Sequence, residues 1–399
     1  MPAGIGRFAR SCSAICIVAA CGSHAASSDA PLRAIDAAGD AGTDGPAGGS
    51  ACPAGSTLVV DRSTCGSAVA PPGTLLATTA QPGDVVSMDG LDEGSLPCMP
   101  AVVCAPAGAA TMLFSDDPES PATDGVLYAD TFGPGHARIY VYHVNAGTDP
   151  RKFPIVVLDQ GSADAHVTIT REGLGGPSTD YVDVGKSVAA AWLASSLSTE
   201  VTVPAGTRVL LDAALDGEHA ATNQLVHAIV DVEADAPVKI SVVSVLATED
   251  AASLTASLPL LANDGLHDRG TFAGADMLID GSAGGEGPSA RHVRLGDNST
   301  EPDLTGTDAT TGAPATLHGN YGVAYAFAVT AGSATAFAAS ARGGAWAGAL
   351  DATTVVPLPA ASGGLATTTD AVWLGSAATF TIVSGGGSSL PVDVLALSQ

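Results

Sequence analysis

Short apolar runs, each cut off by a turn-forming residue, limit what this chain can fold into more than any other feature. From Ala51 onward most run four to nine residues and carry β-branched side chains. Examples are Thr57–Val60, Thr111–Phe114, Val126–Thr131, Ala137–Val144, Phe153–Leu158, His166–Thr170, Val238–Leu246 and Val392–Leu397. Runs of this length suit strands, whereas helices need longer stretches with a 3.6-residue period. Arg138-Ile139-Tyr140-Val141-Tyr142 alternates with a period of two, and 48 glycines with 25 prolines supply frequent turns. The expected fold is all-β: two β-sandwich-like domains of short antiparallel strands. Two short helices are expected, at Lys186–Ser196 and Ala251–Leu258.

Composition shifts divide the chain. Residues 1–20 read as a signal peptide. Residues 21–50, rich in Ala, Gly, Ser and Asp, read as a disordered tether too small in its side chains to build a core. A disulfide-stapled segment, 51–110, is expected to pack on a first sandwich, 111–262. A long loop and second sandwich fill 263–399, divided from the first near Ala262. Ala236-Pro237-Val238-Lys239-Ile240 and Leu390-Pro391-Val392-Asp393-Val394 echo one another, each following an earlier apolar strand. Two sandwiches each ending on such a hairpin would produce this echo, and so would chance in so Val-, Ala- and Pro-rich a chain.

The leader carries two arginines, Arg7 and Arg10, then the apolar run Cys12 to Ala20. That run is too short for a spanning helix, which needs about 20 apolar residues. Val18-Ala19-Ala20-Cys21 resembles the lipobox of bacterial lipoproteins, with Val in place of the commoner Leu. The resemblance implies cleavage before Cys21 and its acylation, and Gly22 after it is compatible with delivery to an outer membrane. An ordinary secretory signal is the alternative: cleavage after Ala25 would release a soluble protein.

Four cysteines follow, Cys52, Cys65, Cys98 and Cys104, an even number that reads as two disulfides in an exported protein. Short-loop closure favours Cys52–Cys65 and Cys98–Cys104. The formal charge is −26, and loss of Arg7 and Arg10 takes −26 to −28. Such a surface repels phosphate backbones and argues against nucleic acid as a partner.

Ser115-Asp116-Asp117-Pro118-Glu119, Gly125–Tyr128, Tyr140–Val144, Asn320–Val323 and Arg342–Gly348 together resemble uncharacterised secreted bacterial β-rich proteins over about residues 111–350. The resemblance implies export and β-structure and transfers no activity.

No chemistry-bearing motif stands out. Asp297, Ser299, Glu301 and Asp303 offer oxygens at alternate positions, a weak calcium pattern without the central Gly, so a structural Ca²⁺ is the one cofactor considered. His136 and His143 fall on opposite strand faces. Gly173–Pro177 reads as a turn, since Ser178–Val184 reads as loop and strand rather than as a helix start. Tyr140 and Tyr142 share a face and could form a glycan-facing strip, and Trp192, Trp346 and Trp373 read as core anchors. The functional expectation is a non-enzymatic, lipid-anchored cell-envelope module, structural, adhesive or binding, with a protein or glycan partner. An exported hydrolase with a loop-borne active site is the alternative, and a carbohydrate-binding module the third. For the hydrolase, Asp116, Asp117, His143, His227 and Asp231 would have to converge in a pocket.

Overall fold

The computed structural model describes residues 52–398 apart from 72, 74–78, 89–90, 92–94, 284–287, 300, 333 and 363–369. Cys21, the leader and the expected tether lie outside the described residues. Strand makes up 51% of the structure and helix 8%, so the fold is all-β.

In chain order the first strands are β1 (Thr57–Arg62), β2 (Val85–Ser87), β3 (Ala101–Ala105), β4 (Thr111–Ser115), β5 (Gly125–Phe132) and β6 (Gly135–Val144). Next come β7 (Arg151–Lys152), β8 (Ile155–Asp159), β9 (Ala165–Ser178), helix α1 (Tyr181–Ala194), β10 (Thr199–Val203), β11 (Arg208–Leu210) and the single turn α2 (Ala213–Asp216). They are followed by β12 (Leu225–Ala234), β13 (Val238–Leu246), α3 (Ala251–Leu254), β14 (Arg269–Phe272), β15 (Asp276–Ser282) and β16 (Ser289–Leu295). Then β17 (Leu304–Asp308), β18 (Ala313–Leu317), β19 (Ala324–Thr330), β20 (Thr335–Ala341) and β21 (Ala345–Asp351) run toward the end. The last are β22 (Val355–Ser362), β23 (Asp370–Gly375), β24 (Thr379–Ser384) and β25 (Val392–Ser398).

These strands make two face-packed sheet pairs. An eight-stranded sheet, β10-β9-β12-β6-β4-β14-β17-β18, packs on β11-β8-β13-β5. A seven-stranded sheet, β1-β3-β15-β19-β24-β21-β22, packs on β16-β25-β20-β23-β2. Strand β6 shows why alternation matters. Ala137, Ile139 and Val141 enter the first core with Val157 and Ile240, while Tyr140, Tyr142 and Val144 enter the second cluster with Phe327 and Trp346. Both of its faces are therefore buried. Helix α1 fills the space between the pairs, touching β9 and β12 on one side and β21 and β22 on the other. Asp180 caps it by accepting from the Asp183 N–H, an interaction worth about 1 kcal/mol.

Sequence distance and sheet membership do not coincide. The segment expected to pack on residues 111–262 gives β1 and β3 to the seven-stranded sheet and β2 to the sheet containing β25. Strand β14, beyond Ala262, pairs with β4 in the eight-stranded sheet. The Pro-Val echo has a structural counterpart, but not a hairpin. β12 and β13 lie in different sheets, as do β24 and β25, so each Pro-Val turn carries the chain from one sheet to its facing partner.

Two expectations are corrected. The disulfides are Cys52–Cys104 and Cys65–Cys98, with Cα atoms 5.7 and 5.5 Å apart. The antiparallel ladder of β1 on β3 aligns Arg62 with Ala101 and Leu58 with Cys104, so the cysteines at the two ends of the ladder nest across it. Ladder register wins over short-loop closure. The glycine run Gly173–Gly176 is not a turn either. It lies in the second half of β9, where Gly173–Gly175 align with Ile229–His227 of β12 and the register shifts before Ser178 meets Leu225, and α1 begins three residues beyond the strand. Gly173 and Gly175 face α1 so closely that a Cβ on either would strike Val188. Here glycine marks close approach of a helix to a strand.

Candidate functional site

The five ionisable groups named for a pocket are split among three places. Asp116, Asp117 and His143 lie where β4 runs out. His227 lies beneath Tyr140 and Tyr142, ring centroids 4.7 and 5.3 Å away. Asp231 sits toward the other end of the sheet, bound to Arg138.

The first group contains a serine–histidine contact. Ser115 Oγ is 2.9 Å from His143 Nε2, and His143 Nδ1 donates to the Pro118 carbonyl at 3.0 Å. That carbonyl fixes the tautomer, so Nε2 accepts from the hydroxyl. Burial pushes the ring down to about 3, keeping it neutral. Both side chains are 0% exposed, so this is a general-base geometry with no access for a substrate. Asp117 Oδ1 accepts from the Asp264 N–H at 2.7 Å. Burial and nearby Glu119 push Asp116 well above the ordinary carboxyl value.

His267 pins two loops together here. Its Nε2 is 2.9 Å from Glu119 Oε2 and its Nδ1 2.8 Å from Asp264 Oδ2. The Glu119 hydrogen bond, opposed by burial and reinforced by Asp264, raises it to about 10. A raised histidine contributes stability that is complete below its unfolded value of about 6.5 and is lost as pH climbs toward 10. His267→Gln is therefore expected to flatten the decline in stability between about pH 6.5 and 10. Urea denaturation at pH 6, 8 and 10 checks this, and parallel wild-type and variant curves would refute the clamp.

The calcium candidates are spent on their own loop. Asp297 Oδ1 accepts from the Ser299 N–H, and Asp303 Oδ1 from the Gly319 N–H. Glu301, 1% exposed, accepts from Asn320 Nδ2, Tyr325 Oη and the Gly296 N–H, and burial raises it to about 7. These oxygens do not converge. Among the described residues no group of three or more His, Cys, Asp or Glu side chains is placed to hold a metal ion. The proposed tyrosine strip is also corrected. Tyr140 and Tyr142 are 2% and 5% exposed and pack inward, because the face they occupy is covered by the second sheet pair.

A cavity of about 220 Å³ lies elsewhere, on the outer face of β11-β8-β13-β5. Val157, Ile240 and Val242 point into the first core, so Val156, Leu158, Lys239 and Ser241 line the opposite face. Arg208 pairs with Leu158 across β11 and β8, and Leu158 with Lys239 across β8 and β13. The two cations thus stand on one row, one strand either side of Leu158. Thr255, Ala256 and Leu258 close one wall, and Val126 and Ala129 of edge strand β5 complete the lining. None of the lining residues is acidic. The signal for half of this was present in the alternation Val238-Lys239-Ile240-Ser241-Val242, which puts Lys239 and Ser241 together on the outer face. Arg208 gave no comparable signal.

No family model matches the chain, and no curated protein matches it. Among solved structures it has weak likenesses to the PBSX exported protein XepA and to the 11S allergen of Cocos nucifera. XepA is 11% identical over 68% of this chain and 85% of its own, with a TM-score of 0.14. The allergen is 8% identical over 70% and 87%, with a TM-score of 0.13. Neither likeness bears on function.

Proposed function

We propose that this chain is an exported, lipid-anchored cell-envelope module that binds a partner and does not transform it. The observation that carries the reading is a contrast between two places. The one serine–histidine pair described above is sealed, while Arg208 and Lys239 face an accessible cavity. Two disulfides support an oxidising compartment. Among the described residues no helix is long and apolar enough to cross a membrane. In this reading attachment rests on Cys21, on the lipobox-like Val18-Ala19-Ala20-Cys21. Acyl chains contribute about 0.8 kcal/mol per buried CH₂, enough for several on one residue to hold a bilayer. The residues that follow would give the folded body reach from an outer membrane.

Intact mass of the protein from its native membrane fraction, beside a Cys21→Ala variant, tests the anchor. A multiply acylated N-terminus at Cys21 and loss of the variant from the membrane are expected. An unmodified N-terminus at Ala26 in the culture fluid would replace the anchored module with a soluble one.

A further inference from the structure

The described residues hold twelve of the chain's fifteen Lys and Arg side chains. Ten of them have protein partners. Arg138, Arg151, Lys152, Lys186, Arg269, Arg294 and Arg342 face carboxylates. Arg62 and Arg291 donate to carbonyls, and Arg171 lies over the Trp192 ring. Arg208 and Lys239 have no hydrogen-bond or ion-pair partner among the described residues, and both line the 220 Å³ cavity. Among the twelve described cations of a chain of charge −26, these two stand apart in having no such partner, and two of them in one cavity are not explained by folding. A half-buried positive charge without a counter-charge costs free energy that a bound anion would offset.

We infer that this cavity binds a small monoanion: a carboxylate joined to a short apolar chain. The inference rests on the binding reading above and adds the ligand class. The guanidinium of Arg208 can take both carboxylate oxygens, and the Lys239 ammonium supplies a second charge on the other side of Leu158. Ser241 offers a hydroxyl, whereas Thr255 Oγ1 already donates to the Ala251 carbonyl at 2.6 Å. The cavity floor is sheet, and its backbone N–H groups are committed to the ladders of β8 with β11 and β13. A phosphate dianion, which draws on clustered backbone N–H groups at helix starts and nests, finds no such donors on this floor. Val156, Leu158 and Leu258 favour carbon over a second charge. The volume holds roughly seven water-sized groups at about 30 Å³ each, which suits an acid of six to eight heavy atoms.

The test is a two-dimensional amide NMR titration of the full mature protein with hexanoate, hexanamide and inorganic phosphate. Hexanoate is expected to shift resonances of β8, β11 and β13 with a Kd on the order of tens of micromolar to millimolar. Arg208→Gln and Lys239→Gln should each weaken it about tenfold while leaving the remaining spectrum unchanged. Equal binding of hexanamide, or tighter binding of phosphate, would overturn the carboxylate assignment while leaving a binding module in place. No shift at these strands with any of the probes would overturn the cavity site alone, since the anchored-module reading is tested separately by the mass of the N-terminus at Cys21.

Discussion

Replacing Arg138 with methionine is expected to cost about 3–5 kcal/mol of folding stability, the range for breaking a buried ion pair by removing one partner. Arg138 is 2% exposed at the junction of the two sheet pairs. Its guanidinium donates to Asp231 at 2.8 Å and to Asp276 at 2.8 Å, and to the carbonyls of Ala275 and Gly322 at 2.9 and 3.0 Å. The Trp192 ring of α1 lies 4.2 Å beneath it. One side chain thus ties β6 and β12 of the first pair to residues at the start of β15, in the second. The loss comes mainly from what is left behind. Asp231, 3% exposed, would keep its burial and lose its chief cation.

The pH dependence separates this explanation from simple loss of packing. Burial pushes Asp231 up, but Arg138 and His136 more than offset it and hold the carboxyl below its ordinary value. A depressed carboxylate contributes stability that is present above about pH 3.9 and lost as pH falls through its folded value. Without Arg138 the burial effect dominates and the shift reverses. Arg138→Met should therefore regain stability between pH 7 and 5, where the wild-type contribution from Asp231 is constant. Adding Asp231→Leu to Arg138→Met should recover much of the loss, since an apolar pair removes the stranded charge. Urea denaturation of the three proteins at both pH values measures all of this. A single-variant cost below about 1 kcal/mol would mean that the network carries little of the junction.

The strands that the sequence marks are those whose apolar residues alternate or crowd within one run. Gly135–Val144 and Val238–Leu246 are legible because their side chains alone declare a buried face. Strands β14, β17 and β18, which read Arg-Gly-Thr-Phe, Leu-Thr-Gly-Thr-Asp and Ala-Pro-Ala-Thr-Leu, declare none. Their place comes from partners already in the sheet. Strand β22 carries Pro357 and Pro359 and is tolerated because it lies at the sheet edge, where fewer ladder donors are needed. The disulfide pairing depends on the register of β1 with β3, which joins residues about forty positions apart. The cavity has the same dependence. Lys239 is readable as outward-facing, but its nearness to Arg208 follows from the strand order β11-β8-β13, a non-local fact.

Gly173→Ala is expected to cost at least the 1–3 kcal/mol typical of an overpacked core, and Gly173→Val more. The added Cβ would lie against the Val188 carbonyl and 2.8 Å from Trp192 N and Cβ, the backbone of the helix that joins the two sheet pairs. Nothing there can rotate away, so α1 must lift from β9 or the strand must bend. Gly175 differs in what it meets: its Cβ would strike Val188 Cγ2 at 2.6 Å, the end of a side chain. Val188→Ala should therefore relieve much of the cost of Gly175→Ala and none of the cost of Gly173→Ala. A double-mutant cycle isolates that coupling, expected at about 1 kcal/mol or more for Gly175 and near zero for Gly173. Gly73→Ala, where a Cβ meets nothing within 4 Å, serves as the neutral reference. Equal rescue at both glycines would mean that α1 is held by side chains alone, and the close backbone approach would lose its role in joining the sheet pairs.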